Sequence, residues 1–291
     1  MIEALFEYQF MQNALFAGLL ASVVCGIIGV IVVEKKLIMM SGGIAHTSYG
    51  GVGLGYLLGF EPILGAFLFS VASAIGIGYI SRRGKSKTDI LIGLFWPLGM
   101  ALGIIFISLM PSYPPDMTSY LFGSILTVTK KDLYMAAGLT LIVLASVIVL
   151  FNNWKAYLFD TEFASIIGIK TKFLEYYLLA LIAMSVVVLL RVVGIILVLA
   201  LLTAPAAISG MFFRSLKNRM IASVFIGAFF CTAGLWLSYT LNIASGAAIV
   251  VLCVVSYFCA FATLNIKNRK SKKKLLPENT DSIPKGENDE L

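Results

Sequence analysis

Long stretches of this sequence carry no charged side chain, and they limit the folds open to the chain. Aspartate, glutamate, lysine and arginine are all missing from residues 8–33, 90–115, 133–154, 192–213 and 220–266. A helix needs about 20 apolar residues to cross the hydrocarbon core of a bilayer. With 59% hydrophobic and 13% charged residues, the chain is too apolar for an ordinary soluble domain. It is therefore predicted to be an integral membrane protein.

The apolar runs predict an all-α membrane protein, a polytopic bundle of about eight to nine transmembrane helices. Strands of a membrane barrel would alternate polar and apolar residues, and these runs do not. Gly and Pro in "GFEP" and the sequence "LNIASG" at 241–246 mark turns between spans. The predicted spans are approximately 10–33, 37–59, 62–81, 90–110, 132–151, 175–190, 192–210, 220–240 and 243–265.

Basic residues predict the orientation of the bundle. With nine spans, five basic clusters fall on one side, which the positive-inside rule assigns to the cytoplasm together with the C-terminus. Lys130 and Lys131 are exceptions on the outer side, and a re-entrant piece at 119–129 would change their depth. The clusters are Lys35 with Lys36, residues 82–87, Lys155 with Lys170 and Lys172, residues 214–219 and residues 267–274.

The chain divides into a transmembrane domain, residues 1–266, and a tail, residues 267–291. The tail begins with "KNRKSKKK" and ends in a polar stretch, a composition typical of disorder. A basic cluster beside a membrane span is usually an anchor to anionic lipid. The predicted partner of the tail is therefore membrane lipid and not nucleic acid.

Signatures of an enzyme are missing from the sequence. It contains no HExxH motif, no second histidine and no pair of carboxylates within one span that would serve as acid and base. The four cysteines lie inside spans without CxxC spacing and are interpreted as small apolar residues. The chain is predicted not to be an enzyme.

The only histidine, His46, lies in an apolar span, in the stretch "SGGIAHTSYGGVGLGYLLG" at 41–59. An ionisable group inside a membrane is costly and marks a pathway or a site by default. Ser41, Thr47, Ser48 and Tyr49 make this the most polar part of any predicted span. The side chain is either a ligand for a divalent ion in transit, since neutral imidazole binds such ions, or a structural hydrogen-bonding group.

Regular glycine spacing predicts close helix packing. Gly51, Gly55 and Gly59 recur every four residues, and Gly99 and Gly103 do the same. Such spacing gives a smooth helix face that another backbone can approach closely.

A short amphipathic helix is predicted between two spans in "YLFDTEFASIIGIKTK", residues 157–172. Asp160 is a plausible N-cap with Glu162 in the first turn, and Gly168 is placed to end the helix. It would be either an interfacial anchor or a docking surface for a cytoplasmic partner.

Several segments, taken in order, resemble the permease subunits of ABC importers for zinc, manganese or iron. The segments are "SGGIAHTSYGGVGLGYLLG" at 41–59, "DILIGLFWPLGMALGIIFISL" at 89–109, "YLFGSILTVTKKDL" at 120–133, "LFDTEFASIIGI" at 158–169 and "RVVGIILVLALLTAPAAIS" at 191–209. The resemblance covers most of residues 10–265.

The resemblance implies a type II importer in the plasma membrane of a prokaryote. Two copies of the permease would form the path for a divalent metal ion, two cytoplasmic ATPase subunits would drive transport, and an extracytoplasmic metal-binding protein would deliver the ion. No permanently bound cofactor is implied. The coupling helix that meets the ATPase would lie at about 158–170, with Asp160, Glu162, Phe163, Ala164 and Gly168 as its contact residues.

His46 matches the family's histidine in the second span, part of a typical D-A-x-x-H pattern close to the metal path. Gly42 stands where that pattern has aspartate, and glycine supplies neither charge nor ligand. Ser41, Thr47 and Met100 are further candidate ligands, although packing is the alternative role for Met100.

Two other classes of function remain open at this point. An ATP-independent secondary transporter or channel usually carries carboxylates inside its spans, and none is found here beyond the first residue of a predicted span. A membrane scaffold without transport activity would leave the polar cluster at 41–49 without a role.

Overall fold

The computed structural model describes residues 7–83, 88–111, 120, 121, 123 and 125–275. Within these ranges the chain is helical apart from short turns, so the predicted all-α fold is confirmed. Eight helices are long and apolar enough to cross a membrane. The helices are α1 Gln9–Glu34, α2 Ile38–Leu58, α3 Pro62–Arg83, α4 Thr88–Ser108, α5 Lys130–Val149, α6 Phe151–Phe159, α7 Thr161–Ile166, α8 Thr171–Val193, α9 Ile195–Phe212, α10 Leu216–Leu241 and α11 Ser245–Leu275.

Helix α2 is the ninth long helix of the described ranges and contains the polar stretch 41–49. It is not one of the eight apolar candidates, because glycine, serine and histidine lower its hydropathy. It is nevertheless enclosed by protein, since α3 and α4 pack along it and α8 and α9 also contact it. A polar helix is tolerated at membrane depth when neighbouring helices shield it from lipid.

One end of the bundle, called the basic face here, brings together three predicted cytoplasmic segments. Lys35, after α1, donates from Nζ to Thr161 Oγ1 over 2.7 Å. Arg219, at the start of α10, pairs with Glu34. These contacts place the α1–α2 turn, the α6–α7 segment and the α9–α10 turn on one side, as nine crossings require. The basic cluster at 82–87 falls largely outside the described residues.

At the other end of the bundle, called the opposite face, an arginine forms ion pairs with two carboxylates. Arg191, near the end of α8, has Nε 3.0 Å from Asp132 Oδ1 and Nη1 3.3 Å from Glu61 Oε1. Asp132 also forms a capping box with Thr129 at the start of α5. Lys130 and Lys131 therefore lie on this face, away from the other basic clusters.

Replacing Arg191 with methionine is expected to lower the free energy of unfolding by about 2 kcal/mol. The change leaves Asp132, whose side chain is 3% exposed, without its cation, and an uncompensated buried charge costs several kcal/mol. The partial exposure of Arg191 reduces that penalty. Thermal unfolding of the purified protein measures the change. Glu61→Gln is the control, because Glu61 is half-exposed and its loss is expected to cost less than about 1 kcal/mol.

The segment before α5 is partly buried inside the bundle. Ile125, in a 3₁₀ turn at Ile125–Thr127, is 1% exposed and lies next to Gly18. Gly18 is nine residues into α1, about 14 Å from its start at 1.5 Å per residue. Gly123 has a φ of +67°, and a Cβ there would overlap the backbone of Val193. The described part of the predicted re-entrant piece at 119–129 thus covers the α8–α9 junction.

The predicted boundary at 266 is not a structural boundary. Helix α11 continues through the first part of the tail to Leu275, because lysine and arginine are good helix formers and extend a helix that already exists. Residues 267–275, the first part of the predicted tail, are therefore a continuation of α11. Residues 276–291 lie outside the described residues. Helix α8 is also longer than its predicted span of 175–190, at both ends.

Two faces of α2 carry glycines, and these faces allow α3 and α4 to pack closely against it. A Cβ at Gly51 would lie 2.0 Å from Gly65 O of α3, and one at Gly55 would lie 2.7 Å from Pro62 Cα. The face toward α4 is formed by Gly50 and Gly53, which the four-residue spacing did not include.

The glycines of α4 lie against α2. A Cβ at Gly99 would lie 2.4 Å from Thr47 Cα, and one at Gly103 would lie 2.6 Å from the Tyr49 ring. In contrast to the expected packing role, Gly59 has no atom within 4 Å of a Cβ position and has a φ of +73°. It ends α2, where a left-handed residue is typical.

Candidate functional site

His46 lies midway along α2 and stacks on Trp96 of α4. The ring centroids are 4.1 Å apart and the rings are inclined by 17°. The histidine is 8% exposed, and its Nδ1 has no hydrogen-bond partner in the described part of the chain. Stacking covers the face of an imidazole and leaves the in-plane directions of its nitrogens open. The structure therefore fixes the ring by stacking and leaves its buried Nδ1 without a hydrogen-bond partner among the described residues.

The hydroxyl groups near His46 satisfy the helix backbone. Ser41 donates to Ile38 O over 2.7 Å, Thr47 to Gly43 O and Ser48 to Ala45 O. All three are buried, and a buried hydroxyl without a partner would be costly. These bonds use the hydroxyl hydrogen and leave oxygen lone pairs, so Ser41 and Thr47 stay weak candidate ligands.

Trp96 occupies the space beside Gly42. A Cβ at Gly42 would lie 3.0 Å from Trp96 Cζ3, so a longer side chain would overlap the indole. The face of α2 that contains Gly42, His46 and Tyr49 is turned toward α4, because Tyr49 meets Gly103 on that helix. The indole ring of Trp96 therefore fills the volume that the carboxylate of an aspartate at position 42 would need.

The site has few ligands for a metal ion. In the described ranges no group of three or more His, Cys, Asp or Glu side chains is positioned to hold one. Met100 is half-buried one turn beyond Trp96 on α4. A single imidazole with hydroxyl and thioether groups favours brief contact with a passing ion over storage.

Trp96 is the member of the site that the sequence did not reveal. It lies fifty residues from His46 in a charge-free run, where an aromatic residue is an ordinary component of a membrane helix. The signal in the sequence was Gly42, since a residue without a side chain leaves room for a large neighbour on a packed helix.

Helix α7 on the basic face has well-formed caps. Asp160 accepts hydrogen bonds at Oδ1 from Glu162 N over 2.8 Å and Phe163 N over 3.1 Å. At the other end, Gly168 N bonds to Ser165 O and Ile169 N to Ala164 O. Together with the φ of +87° at Gly168, these bonds form a Schellman motif. The pattern of the sequence predicted both ends correctly.

Large apolar side chains around α7 face outward. Phe159 is 90% exposed and Ile166 82% exposed, and Phe163 and Ile167 are exposed as well. Ala164 is buried and holds the helix against the bundle. The four exposed side chains define the α7 patch, and such a patch on the basic face is typical of an interaction surface.

The segment that carries the α7 patch is attached firmly to the bundle. Lys35 Nζ lies 3.8 Å from the centroid of the Tyr157 ring, and Trp154 is fully buried and stacks on Tyr177 of α8. Burial lowers the pKa of Lys35, while the nearby carboxylates of Glu175 and Asp160 act to raise it.

Comparison with known proteins gives the same family along nearly the whole chain. The family model described as "ABC 3 transport family" matches residues 7–264. The uncharacterized membrane protein slr2045 of Synechocystis is 42% identical over 90% of this chain and 93% of its own length. The manganese transport system membrane protein MntC of Listeria monocytogenes is 34% identical over 89% of this chain and 92% of its own length.

A solved structure agrees with these matches. PsaBC from Streptococcus pneumoniae, in complex with Fab, has a TM-score of 0.81 and 31% sequence identity. The alignment covers 89% of this chain and 94% of the solved chain.

Proposed function

Because the chain belongs to the ABC 3 transport family, we propose that it is the permease subunit of an ABC importer for a divalent transition metal ion. The observation that carries this proposal is His46, an imidazole buried in the middle of the bundle whose Nδ1 has no hydrogen-bond partner in the described ranges. An ionisable side chain at this depth is costly and marks a transport pathway or a binding site by default. The protein itself is a multi-pass membrane protein, as its eight apolar helices and its relatives indicate.

The proposed cargo is zinc, manganese or iron. Relatives named for manganese transport support manganese as the first ion to test. The chemistry of the site supports zinc and iron, because imidazole suits these ions whereas manganese prefers carboxylate oxygen. The ion is the substrate, so no resident metal is proposed.

The proposed partners fit separate surfaces of the bundle. An ATPase subunit would dock on the α7 patch, and an extracytoplasmic metal-binding protein would approach the opposite face. A second copy would pack against α4 and α11, because only 17% of an 18-residue window of each span is buried, the lowest share among the candidate spans.

The test is uptake of radioactive zinc, manganese and iron by cells that express the permease with its ATPase and binding-protein partners. We expect uptake that stops when the ATPase carries an inactive nucleotide site, and that falls at least tenfold in His46→Ala. Uptake that persists without the ATPase would point to a secondary transporter or channel. Full uptake by His46→Ala would remove the metal role of this residue.

Replacing Gly168 with proline is expected to reduce co-purification of the ATPase subunit at least fivefold while the bundle stays folded. Proline fixes φ near −65° and lacks the N–H that bonds to Ser165 O, so the turn after α7 must change. Gly168→Asn is the matched control, since asparagine tolerates the left-handed conformation. Glu162→Lys, which reverses a charge on α7, is expected to act in the same direction. Normal co-purification with both Gly168→Pro and Glu162→Lys would contradict the assignment of α7 to coupling.

A further inference from the structure

An apolar groove runs between α1, α5 and α10 on the outside of the bundle, close to the basic face. Its volume is about 710 Å³. The side chains that form it are almost entirely apolar, and the groove is open outward, since Ile148 is 73% and Phe225 71% exposed. Its lining includes Val23, Ile27, Val147, Ile148, Met220 and Phe225.

A basic pocket continues this groove toward the basic face. The pocket has a volume of about 300 Å³, and the side chains of Phe151 and Lys217 line both the pocket and the groove. Lys155, Arg214 and Arg219 also line the pocket, together with Glu34, Leu158 and the α7-patch residue Phe159. Arg219 pairs with Glu34, whereas the other three cations have no ion-pair partner in the described part of the chain.

The N-terminus of α10 adds to the positive potential of the pocket. Ser215 caps this helix of 26 residues through a bond from Asn218 N to its Oγ. Ser215 and Leu216 line the pocket, so the first backbone N–H groups of α10 lie beside the unpaired cations. A helix N-terminus attracts anions, and here it acts together with three cationic side chains.

We propose that the groove and the basic pocket together bind one anionic phospholipid. The acyl chains would lie in the apolar groove, at membrane depth, and the phosphate headgroup would lie among Lys155, Arg214 and Lys217. The apolar groove continues into the positive pocket at the basic face. This matches a phospholipid, whose apolar acyl chains continue into an anionic headgroup. This proposal does not depend on transport of a metal ion.

The alternative occupants fit this surface less well. A second copy is better accommodated by α4 and α11, whose spans are the least buried. An ATPase subunit, as a water-soluble partner, would meet the α7 patch, whose Phe159 borders the basic pocket, but it would not fill the apolar groove at membrane depth. The α1–α5–α10 groove thus remains in contact with lipid in the assembly proposed above.

The test is native mass spectrometry of the full-length permease in detergent, titrated with phosphatidylglycerol or with phosphatidylcholine of the same acyl chains. We expect phosphatidylglycerol to be retained at least fivefold better than phosphatidylcholine. The double variant Lys155→Gln/Lys217→Gln is expected to remove this preference. Ile148→Trp, which adds a ring at an already exposed position of the groove, is expected to weaken retention of phosphatidylglycerol at least threefold.

The matched control is Lys170→Gln/Lys172→Gln, which removes the same charge from the same face outside the pocket. Equal loss in both double variants would overturn the proposal in favour of general attraction of anionic lipid. Equal retention of the two lipids would also overturn it, as would unchanged retention in Ile148→Trp. Displacement of phosphatidylglycerol by the ATPase subunit would show instead that the pocket is a protein interface.

Discussion

Replacing Gly42 with aspartate is expected to reduce metal uptake at least tenfold, although the change restores the residue typical of the family pattern. The Cβ alone would lie 3.0 Å from Trp96 Cζ3, so the carboxylate beyond it would overlap the indole ring. The new charge would also be buried without a partner, which is strongly unfavourable. Uptake by cells with equal amounts of permease in the membrane measures the effect. Gly42→Ala, which adds only the Cβ, is expected to lose much less.

The same geometry predicts that a second change compensates for the first. Trp96→Ala removes the ring that overlaps an aspartate at position 42, so Gly42→Asp/Trp96→Ala is expected to recover uptake at least threefold over Gly42→Asp alone. The restored carboxylate beside His46 would favour manganese relative to zinc. A double variant no better than Gly42→Asp would refute the complementarity of Gly42 and Trp96. If the wild-type protein transports no metal at all, the proposed function itself is wrong.

Trp96→Phe separates the stacking role of Trp96 from its bulk. Phenylalanine keeps an aromatic face against His46 and is expected to retain at least half of the uptake. Trp96→Ala leaves the imidazole without its stacking partner, so the apparent KM for the ion is expected to rise several-fold. A change in maximal rate with an unchanged KM would indicate that Trp96 acts on a later step than contact of the ion with His46.

Replacing Gly51 with alanine is expected to lower the free energy of unfolding by about 3 kcal/mol, the upper part of the usual cost of overpacking. The new Cβ would lie 2.0 Å from Gly65 O, and because the obstacle is backbone, α2 and α3 must move apart. Thermal unfolding of the purified protein and the yield of monodisperse protein measure the loss.

Gly138→Ala in α5 is the control for this change. No atom lies within 4 Å of a Cβ at Gly138, so the substitution is expected to be neutral or to stabilise the helix by about 0.5 kcal/mol. If Gly51→Ala unfolds at the temperature of Gly138→Ala, the close approach of α2 and α3 is not required for stability.

The sequence predicts those parts of the structure that depend on residues close together along the chain. The long apolar runs predict the spans because lipid leaves the backbone few alternatives to helix. Asp160 and Gly168 predict the ends of α7 because caps are local. The extension of α11 into the basic tail was missed because composition does not reveal where a helix frays.

Of the two stacked residues of the candidate site, only His46 could be predicted from the sequence. His46 is conspicuous as an ionisable residue in an apolar run, whereas Trp96 becomes part of the site only through the register of α2 against α4. That register depends on Gly50 and Gly53, which face α4 while Gly51 faces α3. A repeat of four residues in one helix identifies a smooth face but not the helix that meets it.

Helix α8 is held at both ends by contacts with other parts of the bundle. On the basic face, Tyr177 stacks on Trp154 of the segment that carries the α7 patch, and at the other end Arg191 is bound to Glu61 and Asp132. The helix has 23 residues and is roughly 35 Å long. Helix α8 therefore connects the segment that carries the α7 patch to Asp132 and Glu61 at the opposite face of the bundle. Of the two ion pairs of Arg191, the one with Asp132 is the stronger tie, because Asp132 is buried whereas Glu61 is half-exposed.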